Sequence, residues 1–217
     1  MRKITHVVNV GEVKVGGNNP IVVQSMTDTD TSDINKTVNQ IEELYNAGSE
    51  IVRVTVNNVE SAKAISKIKP ILSDKGINVP IIGDFHFIGH KILRTVPECA
   101  ENLDKYRINP GNLGSGNRKD DNFKTFIDIA KDLDKPVRIG VNAGSLDQAL
   151  LDLKMEENNR LRVPKSAEEV ESDALISSAI ISYQKAIDYG LSKNNIIISC
   201  KVSRLNQMVH CYREISK

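Results

Sequence analysis

The sequence predicts an α/β protein of the (β/α)8 TIM-barrel type, truncated after about six βα units and preceded by a β-hairpin. Short apolar runs alternate with amphipathic helical patterns, which is typical of a parallel sheet. Most of these runs begin about 30 residues apart, the size of one βα unit. Polar or basic groups recur near the end of nearly every predicted strand. This favours a barrel over an open doubly wound sheet, in which functional groups cluster at one switch point.

Residues 1–19 are predicted to form the N-terminal hairpin. Thr5–Val10 and Val13–Val15 are two alternating runs, and the Gly11-Glu12 step between them indicates a tight turn. A loop with two glycines and Pro20 then ends the hairpin. Residues 20–217 are predicted to be the incomplete barrel domain.

The barrel units follow in order along residues 20–217. Strand-like runs begin near six residues: Ile21, Ile51, Val79, Tyr106, Val137 and Ile196. Helical patterns occupy residues 32–48, 59–72, 88–102, 121–133, 174–189 and 206–217. In the first of these, Ser32 is the predicted N-cap and Gly48 the C-terminal stop.

Residues 147–172 are charged and poor in core residues, and they make the last gap between strands about twice as long as the others. They are predicted to form a loop insertion or lid over the strand ends, with room for a short helix. A solvated surface insertion is the alternative.

Composition excludes several classes of protein. A net charge of +1 gives no overall field for nucleic acid or a membrane surface, and no apolar run approaches the roughly 20 residues that span a bilayer. The N-terminus lacks the apolar core of a signal peptide, so a cytoplasmic protein is expected. Cys99, Cys200 and Cys211 are scattered without a Cys-x-x-Cys pair, which predicts free thiols and no metal site.

Five of the apolar runs carry a basic group where a core strand would be hydrophobic. These groups are Arg53, His86, Arg107, Arg138 and Lys201. Burying a charge is costly unless it is paired, and a polyanionic ligand would pair several of them at once. The sequence therefore predicts an anion-binding pocket at the strand ends.

Further polar residues share a strand face with these basic groups, because side chains alternate along a strand. Asp84 lies beside His86, where it could orient the ring or relay a proton, although a hydrogen-bonded core pair is the alternative. Asn109 follows Arg107, and Asn142 follows Arg138, each on the same face.

Lys201 would add a compact charge to the pocket. A Schiff base with a carbonyl substrate is a less favoured role for this residue.

Several strings are specific enough to suggest a family. They are Val22–Thr27, Gly48–Val54, Asp84–Phe87, Tyr106–Asn112 and Arg138–Leu146. In this order they resemble 4-hydroxy-3-methylbut-2-enyl diphosphate synthase, and the likeness extends from the hairpin to about Ser203. That family reductively opens 2-C-methyl-D-erythritol 2,4-cyclodiphosphate on the methylerythritol phosphate route to isoprenoids.

The resemblance implies a TIM barrel followed by a separate C-terminal domain with a 4Fe-4S cluster, fed by ferredoxin or flavodoxin. In the family's homodimer, the cluster domain of one subunit caps the barrel of the other. Six residues would grip the diphosphate: Arg53, His86, Arg107, Arg138, Asn142 and Lys201. Asn109 is also expected to bind the substrate, and Asp84 would act with His86 in catalysis.

The sequence departs from the family pattern at its cysteines, which do not match the spacing of the cluster ligands. We therefore expect this chain to be the substrate-binding barrel without the iron–sulfur domain, to bind no cluster and to be inactive alone. Two other functions stay open. One is a pteroate synthase-like barrel transferase that binds a diphosphate substrate, and the other is a non-catalytic anion-binding fragment.

Overall fold

The computed structural model describes residues 3–114 and 116–217. The strands in this part of the chain are β1 Val7–Val10, β2 Val13–Gly16, β3 Gln24–Met26, β4 Ile51–Val56, β5 Ile81–Phe85, β6 Lys105–Ile108, β7 Val137–Asn142 and β8 Ile196–Lys201. The helices are α1 Ile34–Asn46, α2 Val59–Asp74, α3 Gly89–Thr95, α4 Pro97–Asn102, α5 Gly116–Asp132, α6 Gln148–Asn159, α7 Ala167–Asp188 and α8 Leu205–Ile215.

Strands β3 to β8 pair in sequence order as one parallel sheet that curls like part of a barrel. Alternate residues of each strand face the helices. On β4, for example, Val52, Val54 and Val56 join the main hydrophobic core, while Arg53 and Thr55 lie on the opposite, inner face. The predicted fold class is confirmed, and this alternation directs the basic side chains away from the helical layer.

The main core lies between the sheet and its helices. Phe85, Tyr106 and Phe126 meet edge to face, with ring centroids 5.5 to 5.8 Å apart. The Tyr106 hydroxyl donates to the Ala100 carbonyl at 2.7 Å, so this buried polar group is satisfied. This core packs against the helix-facing side of the strands whose inner face carries the basic residues.

The predicted hairpin is confirmed as the antiparallel pair β1–β2. Its Val8 and Val10 are buried against Ile51 and Ile82 at the N-terminal ends of β4 and β5, and the partly buried Ile197 of β8 packs on the same cluster. The hairpin therefore covers the inner face of the sheet at the end opposite the predicted site.

Several helix boundaries differ from the prediction. Asp33, and not Ser32, caps α1, because its carboxylate accepts from the Lys36 backbone N–H at 3.2 Å. The single helix predicted over residues 88–102 is two helices, since Pro97 has no N–H to continue the first one.

The loop predicted over residues 147–172 is wrong for most of its length. Helix α6 begins after Asp147, whose carboxylate accepts from the Ala149 N–H, and α7 begins at a capping box formed by Ser166 and Glu169. Val170 is buried, so the segment also supplies core. It is a helical connection after β7.

The three cysteines are buried free thiols, as predicted. No helix in the described part of the chain is both long and apolar enough to cross a membrane.

Candidate functional site

Three charged residues lie side by side on the inner face of neighbouring strands. Asp84 on β5 pairs in register with Arg107 on β6, and Arg107 pairs with Arg138 on β7. Parallel register places such partners on the same face of the sheet. Arg53 on β4 completes the group, because it lies one register row away and approaches Asp84 across the sheet.

Asp84 is the centre of this charged cluster. Its carboxylate is 3.0 Å from Arg107 Nη1, 3.7 Å from Arg53 Nε and 3.7 Å from His86 Nε2, while only 5% of the side chain is exposed. Burial opposes ionisation of Asp84. The His86 imidazole and the charges of Arg107 and Arg53 outweigh it and hold the pKa of Asp84 below its usual range. One carboxylate thus faces several basic groups.

Arg107 fits its place because Gly140 of β7 has no side chain. A Cβ atom at Gly140 would lie 3.0 Å from Arg107 Nε and 3.2 Å from its Nη2. The Nε of Arg107 is buried and has no hydrogen-bond acceptor among the described residues. Arg107 therefore keeps a donor without a protein partner, beside the ion pair that fixes its position.

Arg53 and Arg138 are held by neutral groups. Arg53 directs Nη2 at the Met26 sulfur, 2.9 Å away, and Arg138 donates from Nε to Ser199 Oγ at 2.9 Å. Burial, followed by the like charges of Arg53 and Arg107, lowers the pKa of Arg138. Ser199 thus fixes Arg138 without cancelling its charge, whereas Arg53 also lies 3.7 Å from the Asp84 carboxylate.

The outer rim of the site is more open. Asn142 and Lys201 are register partners at the C-terminal ends of β7 and β8. Lys201 is exposed, and it forms no ion pair with any residue that the structure describes. The His86 side chain is 38% exposed. These groups lie where a ligand entering from solvent would first make contact.

Asn109 does not reach the open surface of the site. It is 1% exposed, its amide donates to Ser145 Oγ at 2.6 Å, and its side-chain oxygen accepts from the Gly111 N–H at 3.0 Å. Asn109 thereby braces the loop after β6 against the loop after β7. Its role in substrate binding stays a prediction.

Sequence reasoning missed Lys105 and Ser199, which also lie on the inner face. Lys105 is two positions before Arg107, and Ser199 is two positions before Lys201, so strand parity contained the signal for both. Lys105 is buried, and its side chain has no hydrogen-bond or ion-pair partner among the described residues.

The thiols of this chain do not fit an iron–sulfur cluster, which needs converging thiolates. Cys99 belongs to the main core, whereas Cys200 and Cys211 belong to a smaller one. Burial raises the pKa of Cys99 and of Cys200 to about 12, which disfavours the thiolate. No group of three or more His, Cys, Asp or Glu that could hold a metal ion is found in the described ranges.

Comparison with known proteins identifies the family. The model of the GcpE TIM-barrel domain matches residues 5–217. The chain belongs to the GcpE family. This is the 4-hydroxy-3-methylbut-2-enyl diphosphate synthase family, and the match covers its N-terminal barrel portion, as the sequence motifs predicted.

Solved structures support the barrel architecture of this GcpE chain. Burkholderia cenocepacia dihydropteroate synthase complexed with 7,8-dihydropteroate is similar, with a TM-score of 0.58 and 10% identity over 91% of this chain and 64% of that one. The 7,8-dihydropteroate synthase of Vibrio fischeri gives 0.54 and 10% over 89% and 66%. The chain thus spans about two thirds of the length of each. At this identity the likeness shows the fold alone.

Proposed function

We propose that this chain is the substrate-binding barrel of 4-hydroxy-3-methylbut-2-enyl diphosphate synthase and binds 2-C-methyl-D-erythritol 2,4-cyclodiphosphate. One observation carries the proposal. Arg53 and Arg107 pair with a single carboxylate, Asp84, and Arg138 lies beside Arg107 on the same inner face of the sheet. Three guanidinium charges against one carboxylate leave a local excess of positive charge, which a cyclic diphosphate would neutralise.

The chemistry of each cation suits one part of that ligand. Guanidinium groups make paired hydrogen bonds to phosphoryl oxygens, and the free Nε of Arg107 is a donor of this kind. Lys201 at the rim supplies a mobile point charge for the outer phosphate. Asn142, its register partner, offers neutral donors and acceptors for the sugar-derived hydroxyl groups.

Asp84 and His86 are proposed to act at the reacting end of the ligand. With its pKa held low, Asp84 stays a carboxylate at neutral pH and accepts a hydrogen bond from Arg107 Nη1. It thereby orients Arg107 and lies 3.7 Å from Nε2 of His86. His86 can then donate to a phosphoryl oxygen or move a proton at the ring-opening oxygen.

Electron delivery lies outside the groups described here, since the thiols do not fit a cluster. The family resemblance supports three further proposals for a full-length family member: a 4Fe-4S cluster, ferredoxin or flavodoxin as the electron donor, and a homodimer. For this chain we expect binding without turnover.

Isothermal titration with the cyclodiphosphate tests the proposed function. Arg107→Ala and Arg138→Ala should each weaken binding by about 10- to 100-fold, the effect of losing one charge-assisted contact. Arg160→Ala is the matched control, because Arg160 lies at the end of α6 with a side chain that is 80% exposed. Unchanged affinity in both pocket variants would show that the ligand binds elsewhere.

Two further titrations separate the alternatives. Binding of a pterin diphosphate in place of the cyclodiphosphate would favour the transferase. Undiminished cyclodiphosphate binding by Asp84→Asn would favour the non-catalytic anion-binding fragment, because a carboxylate that orients Arg107 should matter to the first function.

A further inference from the structure

Lys105 is a buried lysine on the inner face of the sheet. It is the first residue of β6, two positions before Arg107, and its register partner on β5 is Ile82. Its exposed fraction is 3%. Its ammonium nitrogen forms no hydrogen bond or ion pair with any residue in the described ranges. An unpaired buried charge is expensive, so this position needs an explanation.

The groups that face Lys105 offer it no counter-charge. Arg53 on β4 and Arg138 on β7 are like charges, and Arg107 follows on its own strand. Asp84 on β5 is already engaged by Arg107 and Arg53. Towards the hairpin, the inner face carries Ile82 and other apolar residues: Ile51, Ile197, Val8 and Val10.

Two effects disfavour the charged form of Lys105. Burial is the larger, and repulsion from Arg138 and then Arg53 adds to it, so that the pKa of Lys105 falls from 10.5 to about 7. A permanent cation here would add to the repulsion among the arginines of an empty pocket. A titratable amine avoids that cost while the pocket is empty.

We propose that Lys105 is a proton-coupled anion-binding residue at the inner end of the arginine pocket. In the free protein at pH 8 it is mostly a neutral amine. When a phosphoryl group binds between Arg53 and Arg138, the amine takes one proton from solvent and becomes an ammonium ion that donates to the ligand. The proposal rests on the proposed function, since both place a phosphorylated ligand on the same inner face.

Linkage fixes the sign of the effect. A bound anion favours the charged form and therefore raises the pKa of Lys105, so binding takes up a proton wherever the free amine is neutral. With a pKa of about 7 in the free protein, uptake should approach about 0.9 proton at pH 8 and become small at pH 6, where Lys105 is already charged.

Calorimetry with inorganic pyrophosphate tests this inference. Titrations in two buffers of different ionisation enthalpy give the number of protons exchanged, and Lys105→Met serves to subtract the exchange by pyrophosphate itself. We expect the wild-type protein to take up about 0.9 proton more than Lys105→Met at pH 8, and to bind about tenfold more tightly.

Two other variants sharpen the test. Lys135→Met is the matched control, because Lys135 is also partly desolvated but donates to the Glu101 carbonyl and lies outside the pocket. It should keep the wild-type proton uptake. Lys105→Arg restores a cation that does not titrate, so it should recover affinity and lack the extra proton. Circular dichroism verifies that each variant is folded.

Each outcome bears on Lys105 separately from the proposed function. Wild-type binding with the same proton uptake in Lys105→Met overturns the Lys105 proposal and leaves the proposed function standing. Absence of pyrophosphate binding also overturns it, and the cyclodiphosphate titration then decides independently whether the proposed function survives.

Discussion

Replacing Lys105 with methionine should stabilise the folded protein and change how its stability depends on pH. Methionine has a similar length and no charge, so it fills the same buried space beside Ile82. The amine of Lys105 keeps its proton in the unfolded chain up to about pH 10 but loses it near pH 7 in the folded state. Folding near neutral pH therefore expels a proton at a cost that methionine does not carry.

The magnitude follows from the two pKa values. The difference between a pKa of 10.5 in the unfolded chain and about 7 in the folded one corresponds to roughly 5 kcal/mol. This is an upper bound on how much the charged Lys105 lowers the free energy of unfolding, and it applies where Lys105 is charged in both states. Between pH 7 and pH 9 the unfolded chain holds the proton and the folded chain increasingly does not. The free energy of unfolding of the wild-type protein should therefore rise by about 2 kcal/mol relative to Lys105→Met over this range.

Urea unfolding at pH 7, 8 and 9 measures this difference directly. Titrations of the other groups largely cancel between the two proteins, since only one side chain differs. Lys63→Met is the control, because Lys63 is an exposed lysine on α2 and should follow the wild-type curve. If Lys105→Met has the same pH dependence as the wild-type protein, the amine is charged in the folded state and the reasoning fails.

Three further predictions follow from other contacts. Gly111→Ala places a Cβ atom 2.2 Å from the Ser145 carbonyl oxygen and should cost about 3 kcal/mol in urea unfolding, whereas Gly144→Ala, which meets nothing within 4 Å, should change little. Asp84→Asn should lose about 3 kcal/mol at pH 7. Because the wild-type carboxylate has a lowered pKa, its contribution disappears as the pH falls below about 4, and the two stabilities should converge there. Native Cys99, with a pKa of about 12, should resist alkylation at pH 8 and react once urea unfolds the chain; rapid native alkylation would contradict its burial.

The fold was largely predictable because each βα unit has a local sequence pattern of its own. An apolar run such as Ile51–Val56 and a capped amphipathic helix such as Val59–Asp74 both follow from spacing alone. The inner-face placement of the basic side chains was predictable for the same reason, since parity puts Arg53 opposite Val52 and Val54.

What escaped prediction depends on contacts between distant residues. Lys105 was missed because the predicted strand began at Tyr106, and only the assembled sheet shows that Lys105 is buried at the start of β6. The spacing of Asn109 could not reveal its bond to Ser145, which lies 36 positions away. The segment 147–172 looked poor in core residues because few of its helical residues are buried, namely Asn158, Val170 and Ser172.

The position of the hairpin has a consequence for the order of folding. Strands β1 and β2 leave the ribosome before the strands of the parallel sheet, yet Val8 and Val10 are covered by residues of β4, β5 and finally Ile197 of β8. A two-stranded hairpin is marginally stable in water by itself. Val8 and Val10 therefore cannot complete their packing until β8 has joined the sheet, and contacts of such long range slow folding. The hairpin therefore completes its packing after the parallel sheet has formed, although it precedes that sheet in the sequence.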